Sequence, residues 1–376
     1  MTDKQLNTGI FEEVVIEKED IGNSLMDEPF NPSQINIDTQ SPTLNNLISR
    51  LNSNPPEIDL YPDFQRNDDL WDNGKQSRLI ESILISFPLP AFYFDGTDDN
   101  KWLVVDGLQR LSAIRNFIIK KTLRLQDLEF LKKDLTGLSF DELPRPLQRK
   151  IEETQIVAYV IKPGTPQKVK FNIFRRINTG GLVLEPQEIR HALNQGIPAK
   201  YVADLAKQKS FKKATEGKIS SSRMLDREFV TRFIAFYLTP PEKYVPDLDT
   251  FLNNSMASLF SLEKDVLDKM KSDFVGAMEY SYKIFGNWAF RKADLFPKKR
   301  KPINKALFET WSVNIAKLTD NQRNLLLENK TILMNRFAEI MKTNEKFVRS
   351  ISSGTGGKTE VIERFNVIKK IIKEFI

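Results

Sequence analysis

Val104-Val105-Asp106-Gly107-Leu108-Gln109-Arg110-Leu111 carries a β-branched run into an Asp-Gly step and on into an apolar pattern of helical spacing. The pattern predicts a strand that becomes a helix almost at once, gathering an acid, a flexible turn, an amide and a guanidinium at the junction. Helix starts of this kind offer backbone N–H groups and the positive end of the helix dipole to anions, phosphate above all. Gly107 then keeps a side chain out of the ligand's way, Arg110 supplies charge, and Asp106 stands near a metal ion or a water. The same residue types also compose an acidic capping box, with Asp106 as N-cap and Gln109 three residues on. Both readings fit the stretch taken alone.

The pattern continues on either side. Leu44, Leu47, Ile48 and Leu51 mark a short amphipathic helix, which Pro55-Pro56 breaks before an extended segment at 57–60. Leu79, Ile80, Ile83 and Leu84 give a second helix face, stopped by Phe87-Pro88-Leu89-Pro90. Residues 91–94 and 102–105 read as two strands around the polar turn 95–100. A helix over 108–120 follows, with a further strand at 154–161. Beyond Pro166 strand signals fade, and 169–177, 185–194, 199–208, 223–238 and most of 246–376 have helical periodicity. The expected class is α+β: a small mixed α/β domain over 41–165, then an all-helical domain over 166–376.

Residues 1–40 contain nine acids and two bases, a net of −7; the whole chain carries +6, so residues 41–376 carry +13. The acidic segment reads as a mostly disordered tail. Two roles fit it, a solvating terminus or an intramolecular competitor for an anionic ligand. The basic remainder suits a polyanionic partner, nucleotide or DNA, although solvated lysines on long helices give the same count. No stretch approaches the roughly 18 apolar residues of a membrane span, and the N-terminal residues lack a signal pattern, so the expected location is cytoplasmic. The sequence has no cysteine, which removes thiolate nucleophiles and Cys-ligated zinc, and its one histidine, His191, cannot build a His-Asn-His nuclease core. Any metal would be a hard ion such as Mg2+ on carboxylates.

Three other segments hold candidate chemistry. Gln65-Arg66 precedes Asn67-Asp68-Asp69, so a loop salt bridge accounts for it; if strands near 58 and 104 are neighbours, it shares a cleft with Gln109-Arg110. Phe174-Arg175-Arg176-Ile177-Asn178-Thr179-Gly180-Gly181 reads as a helix stop before a new helix at Pro186, with Arg175, Arg176 and Arg190 clustered about a glycine pair. Ser352-Ser353-Gly354-Thr355-Gly356-Gly357-Lys358-Thr359 imitates a P-loop but has Ser352 where the first glycine belongs and no buried strand before it. A glycine-rich connection between helices describes it better. The basic run Lys298-Lys299-Arg300-Lys301 reads either as a solvated loop or as a contact for a nucleic-acid backbone.

Taken in order, Phe64-Gln65-Arg66 with Trp71, Leu79 to Leu84 leading to Pro88-Leu89-Pro90, Val105 to Leu111, and Phe174 to Gly181 with Leu184, Glu188 and Arg190 resemble one family. It is the N-terminal domain of GmrSD-type, modification-dependent restriction systems, related to the ParB/sulfiredoxin-like fold. The resemblance covers roughly 42–195. It implies a nucleotide-handling module of DNA restriction or anti-phage defence, with NTP as ligand and hydrolysis as a further expectation. Catalysis would rest on Asp106, Gln109 and Arg110, with Mg2+ on Asp106. Gln65, Arg66, Gly107, Asn178, Gly180 and Arg190 would complete the nucleotide site. Leu108 departs from the pattern, standing where the family places a second glutamine. A non-catalytic DNA-sensing module that recruits a separate nuclease is the alternative. Direct nuclease action would want paired carboxylates, which the sequence does not display.

Overall fold

The computed structural model describes residues 15–22, 31–60, 71–98, 100–177, 184–294 and 300–376. Contacts divide the chain into two units: Pro29–Gln195, and Gly196–Ile376 together with Met1–Glu28.

The first unit is built on a mixed five-stranded sheet in the order β1-β5-β3-β4-β2. In chain order its elements are β1 (Ile37–Gln40), α1 (Leu44–Asn52), β2 (Ile58–Asp59), α2 (Asn73–Leu84), β3 (Phe92–Asp95) and β4 (Trp102–Asp106). Then come α3 (Leu108–Ile114), which runs into a π-helical turn at Arg115–Ile119, and α4 (Lys132–Leu135), α5 (Arg145–Glu153), β5 (Ala158–Ile161), α6 (Gln167–Ile177) and α7 (Pro186–Leu193). β3 and β4 form the expected antiparallel hairpin, β5 runs parallel to β3, and β2 runs parallel to β4 with Ile58 beside Trp102.

Strand alternation sends side chains to two cores. Phe92, Phe94, Trp102, Val104, Ala158 and Val160 meet Leu44, Leu47, Ile80, Ile83, Leu111 and Ile114 in one. Tyr93, Leu103, Val105 and Ile161 meet Val169, Phe171, Phe174 and Ile189 in the other. That second core corrects the boundary expected at 165: α6 and α7 cover a sheet face that would otherwise expose its apolar residues, so the unit ends at Gln195. A buried ion pair adds to the attachment. Lys170 Nζ on α6 donates to Asp95 Oδ2 at 3.0 Å, and Asp95 is the last residue of β3 rather than the first of the turn.

The reading of residues 1–40 as a mostly disordered tail is also corrected within the described residues. Ile37–Gln40 adds β1 antiparallel to β5 at the sheet edge, where one face needs little apolar surface and the polar sequence misleads. Residues 15–22 pack in the helical unit, with Ile16 bridged to Ile303. The strand expected at 154–161 is confined to Ala158–Ile161, and Gln155 makes only an isolated bridge to Thr43.

The helical unit comprises α8 (Ile197–Lys207), α9 (Lys209–Ala214), α10 (Leu225–Leu238), α11 (Leu248–Ser258), α12 (Lys264–Phe285), α13 (Lys305–Ala316), α14 (Asp320–Glu328), α15 (Lys330–Thr343), α16 (Glu345–Ser350) and α17 (Lys358–Lys373). Its core is aromatic, with Phe308 in edge contact with Phe211, Phe229 and Phe290. Phe285 packs on Trp311. Those rings serve packing, not base stacking. Among the described residues no helix is long and apolar enough to cross a membrane.

Candidate functional site

Strand β4 ends on Asp106, and Gly107 turns the chain with φ 102° and ψ 8° to start α3. Glycine is required here for two reasons. The left-handed backbone disfavours any Cβ, and a Cβ built on Gly107 would lie 2.5 Å from Cδ1 of Phe92. The capping box does not form: Gly107 is the N-cap and no side chain caps the helix. The first intrahelical bond is the Leu111 N–H to the Gly107 carbonyl, at 2.9 Å. The first amides of α3 therefore have no capping side-chain oxygen.

Asp106 is instead paired along the helix with Arg110, Oδ2 to Nη2 at 3.1 Å. Arg110 is 7% exposed; its Nη2 also donates to the Ala91 carbonyl at 3.0 Å and its Nη1 donates to the Pro90 carbonyl. Its guanidinium lies 4.3 Å from the centroid of Phe92. Burial lowers its pKa, with Asp106 opposing that shift. Arg110 thus braces the Pro88-Leu89-Pro90 turn against the junction, which fixes where Asp106 points.

Gln109 works in the other direction. Its Oε1 accepts the Trp71 N–H at 3.2 Å, while Gln76 Nε2 donates to the Trp71 carbonyl at 2.8 Å. Gln76 Oε1 in turn accepts from Asn116 Nδ2 at 3.0 Å. Trp71 is thereby held at the start of α3, and β2, which ends just before Leu60, is paired with β4. Leu60 and Trp71 flank the segment with Gln65 and Arg66. Those two residues lie outside the described residues, as do Asn178 and Gly180, but the expected neighbourhood of the strands near 58 and 104 is observed.

Arg190 is described. It is buried on α7, its Nε donates to Gln187 Oε1 at 2.8 Å, and it stands 6.0 Å from the Phe171 ring. Helix α7 starts as the sequence indicates, with Pro186 at N1 and a reciprocal cap between Glu185 and Glu188. Ile189, one residue before Arg190, shares a core with Val105, the residue before Asp106.

The sequence reading passed over Tyr93. It lies opposite Asp106 in the β3–β4 register and stacks on Tyr159 at 4.9 Å between ring centroids. Burial, then Tyr159, then Asp106 raise its pKa, which keeps the phenol protonated as a donor. Its signal was available in the alternation of Phe92-Tyr93-Phe94, where a phenol interrupts a phenylalanine pair.

For a metal, the donor set is thin. Among the described residues no three Asp, Glu or His side chains gather. Asp106 is a single carboxylate already occupied by a guanidinium, so these residues do not make a magnesium site on their own.

With that geometry in hand, comparison with known proteins is informative. Residues 44–194 match the family model described as GmrSD restriction endonuclease, N-terminal domain. This segment is similar to the GmrSD N-terminal domain. The GmrSD match ends one residue short of the sheet unit's own end at Gln195, which places α6 and α7 inside the domain. No curated protein and no solved structure matches the chain.

Proposed function

We propose that the GmrSD N-terminal domain binds a nucleoside triphosphate at the β4–α3 junction and serves a DNA restriction or anti-phage defence system. One observation carries the reading: α3 begins on a left-handed glycine, at the end of a paired strand, with no side-chain cap. Amides at such a start suit phosphate oxygens. In this reading Asp106 and the Tyr93 phenol, adjacent across the hairpin, position ribose or water, Arg110 holds Asp106 in place, and Gln109 couples the ligand to Trp71. The family resemblance would add Gln65, Arg66, Asn178 and Gly180, which lie outside the described residues, and Arg190 on α7. No step is assigned to Mg2+. The partners proposed are DNA and a nuclease, as the likeness to a restriction-system module suggests.

A thermal-shift screen of ATP, GTP, CTP and UTP tests binding. A nucleotide at 100 times its Kd stabilises the fold by about 2.7 kcal/mol. Asp106→Asn should weaken that nucleotide's effect, read against the variant's own unliganded melting temperature, which falls because the buried Arg110 loses its carboxylate partner. No shift with any of the four rejects the site. Phosphate release with the responding nucleotide then decides whether the module hydrolyses it. Steep salt dependence of DNA binding, with no nucleotide response, would favour the DNA-sensing alternative instead.

A further inference from the structure

In the helical unit, residues 15–20 of the acidic segment lie among basic and hydroxyl side chains. Residues 15–20 run beside Ile303, held by the Glu17 N–H to the Ile303 carbonyl at 2.8 Å and the Ile303 N–H to the Val15 carbonyl at 2.9 Å. The rest of the attachment is ionic. Glu17 accepts from Lys292 Nζ at 2.6 Å and from Asn304 Nδ2 at 3.2 Å. Glu19 accepts from Arg232 Nη1 at 3.1 Å and from Thr355 Oγ1 at 2.9 Å, with Lys305 Nζ 3.9 Å away. The Asp20 carbonyl accepts the Thr355 N–H at 2.9 Å and its carboxylate accepts Ser353 Oγ at 2.8 Å. Glu17 and Glu19, two residues apart in extended chain, are oriented alike, while Lys18 between them is exposed.

The receiving surface has its own permanent charges. Glu309 bridges Arg232, at 3.2 Å, to Arg364, at 2.8 Å, and Glu228 bridges Arg232, at 3.0 Å, to Lys305, at 2.9 Å. With Glu17 and Glu19 set aside, the carboxylates seen paired with Arg232, Arg364 and Lys305 among the described residues are Glu228 and Glu309, and Lys292 stands beside them. Arg232 is 2% exposed with Glu19 in place, and its guanidinium there pairs with Glu19, Glu228 and Glu309. Around it stand the hydroxyls of Ser352, Ser353 and Thr355, on the loop that leads into α17. That helix starts at Gly357 with no side-chain cap.

We infer that this is a phosphate-binding site whose resident occupant is the chain's own Glu17–Asp20 segment, and that phosphate groups displace it. The donor set of Arg, Lys, hydroxyls and backbone amide is the one that meets phosphates of nucleic acids. Two sources share that chemistry, a polynucleotide backbone and the polyphosphate of a nucleotide. Among the described residues the segment's strand-like pairing is the isolated bridge of Ile16 to Ile303, and the rest of its attachment is made by side-chain ion pairs and hydrogen bonds that a competing anion could take over. The inference does not rest on the Asp106 site, and its test reads residues of the other unit.

The test uses the full chain and hydrogen exchange, following the peptide that contains residues 15–22. Tripolyphosphate, a single-stranded oligodeoxynucleotide and an oligoglutamate of matched charge are added in turn. Faster exchange with either phosphate probe, and not with oligoglutamate, is the expected result; which probe acts at lower concentration names the source. Ile16→Cys with Ile303→Cys, in a chain without other cysteines, gives a tether. Oxidised, it should bind the effective probe roughly tenfold more weakly than when reduced, the factor for a site open one-tenth as often. Glu17→Gln with Glu19→Gln should raise affinity by a similar factor over the charge-matched control Asp265→Asn with Asp268→Asn. Unchanged exchange with both phosphate probes together with equal binding by oxidised and reduced tether overturns the inference. Oligoglutamate acting as well as phosphate overturns the phosphate assignment.

Discussion

Among the described residues three helices, α3, α8 and α17, have a glycine N-cap and no side-chain cap, and two of them, α3 and α17, meet negative charge in different ways. At α3 the nearest acid, Asp106, is the residue before the glycine, and it turns back onto Arg110 instead of capping the amides. At α17 the loop before Gly357 receives Glu19 and Asp20, which are more than 300 residues away in sequence. The first start can be recognised from eight consecutive residues. The second cannot, because its anion is supplied by tertiary structure. Resemblance to a P-loop at 352–359 was thus a poor guide to fold but marked a segment that does hold an anion.

The comparison breaks most easily at Glu309. This carboxylate is fully buried between Arg232 and Arg364, and Glu309→Ala leaves two buried guanidinium groups competing for Glu19 and Glu228. Breaking a buried pair costs about 3–5 kcal/mol. Denaturant unfolding monitored in the helical unit should show a loss of that size; a loss below about 1 kcal/mol would mean the network is solvated.

Glu81 is the intermediate case, an acid held by amides of its own unit. From α2, 3% exposed, it accepts the N–H groups of Glu129, Phe130 and Leu131 at 2.7–3.1 Å. Burial alone would raise its pKa, but the three amides outweigh it and the value is lowered. Its contribution is therefore complete above the ordinary carboxylate range and disappears as pH falls through the lowered value. Glu81→Gln should cost about 1.5–3 kcal/mol at neutral pH. The deficit should shrink in acid, and a pH-independent deficit would show that charge is not what holds the loop.

Gly107→Ala sharpens the junction itself. Left-handed strain and the approach to Phe92 predict a loss of about 1–3 kcal/mol. Nucleotide response should fall along with it. A stable Gly107→Ala protein that still responds would remove the close-approach argument.

Much of the sheet unit was legible because its signals are local. The period-two run at Trp102–Asp106, the proline stop after Leu84 and the Pro186 start all report directly on backbone geometry. The role of Arg110 was not legible: its partners are carbonyls of Pro90 and Ala91, some twenty residues earlier, and a carbonyl leaves no trace in side-chain pattern. Likewise the domain boundary followed the fading of strand signal at Pro166. It missed that a sheet apolar on both faces needs helices after its last strand as well as before it. Acidic composition hid β1 and the Glu17–Asp20 contacts for a related reason, since burial by ion pairing looks like solubility in sequence.

Leu108 offers the smallest and finest test. It stands at the first position of α3, half-buried against the core that contains Leu111 and Ile114, which gives a packing reason for an apolar residue here. Leu108→Gln removes part of one leucine's burial, so the stability loss should be about 1 kcal/mol or less. If the α3 start binds nucleotide, an added amide beside Gln109 should tighten the nucleotide response or raise phosphate release, and thermal shift with a phosphate assay reads both. Loss of the response despite a retained fold would instead show that ligand contacts Leu108 as an apolar wall, and the junction of Asp106 and Gly107 would then be selecting for the base rather than the phosphates.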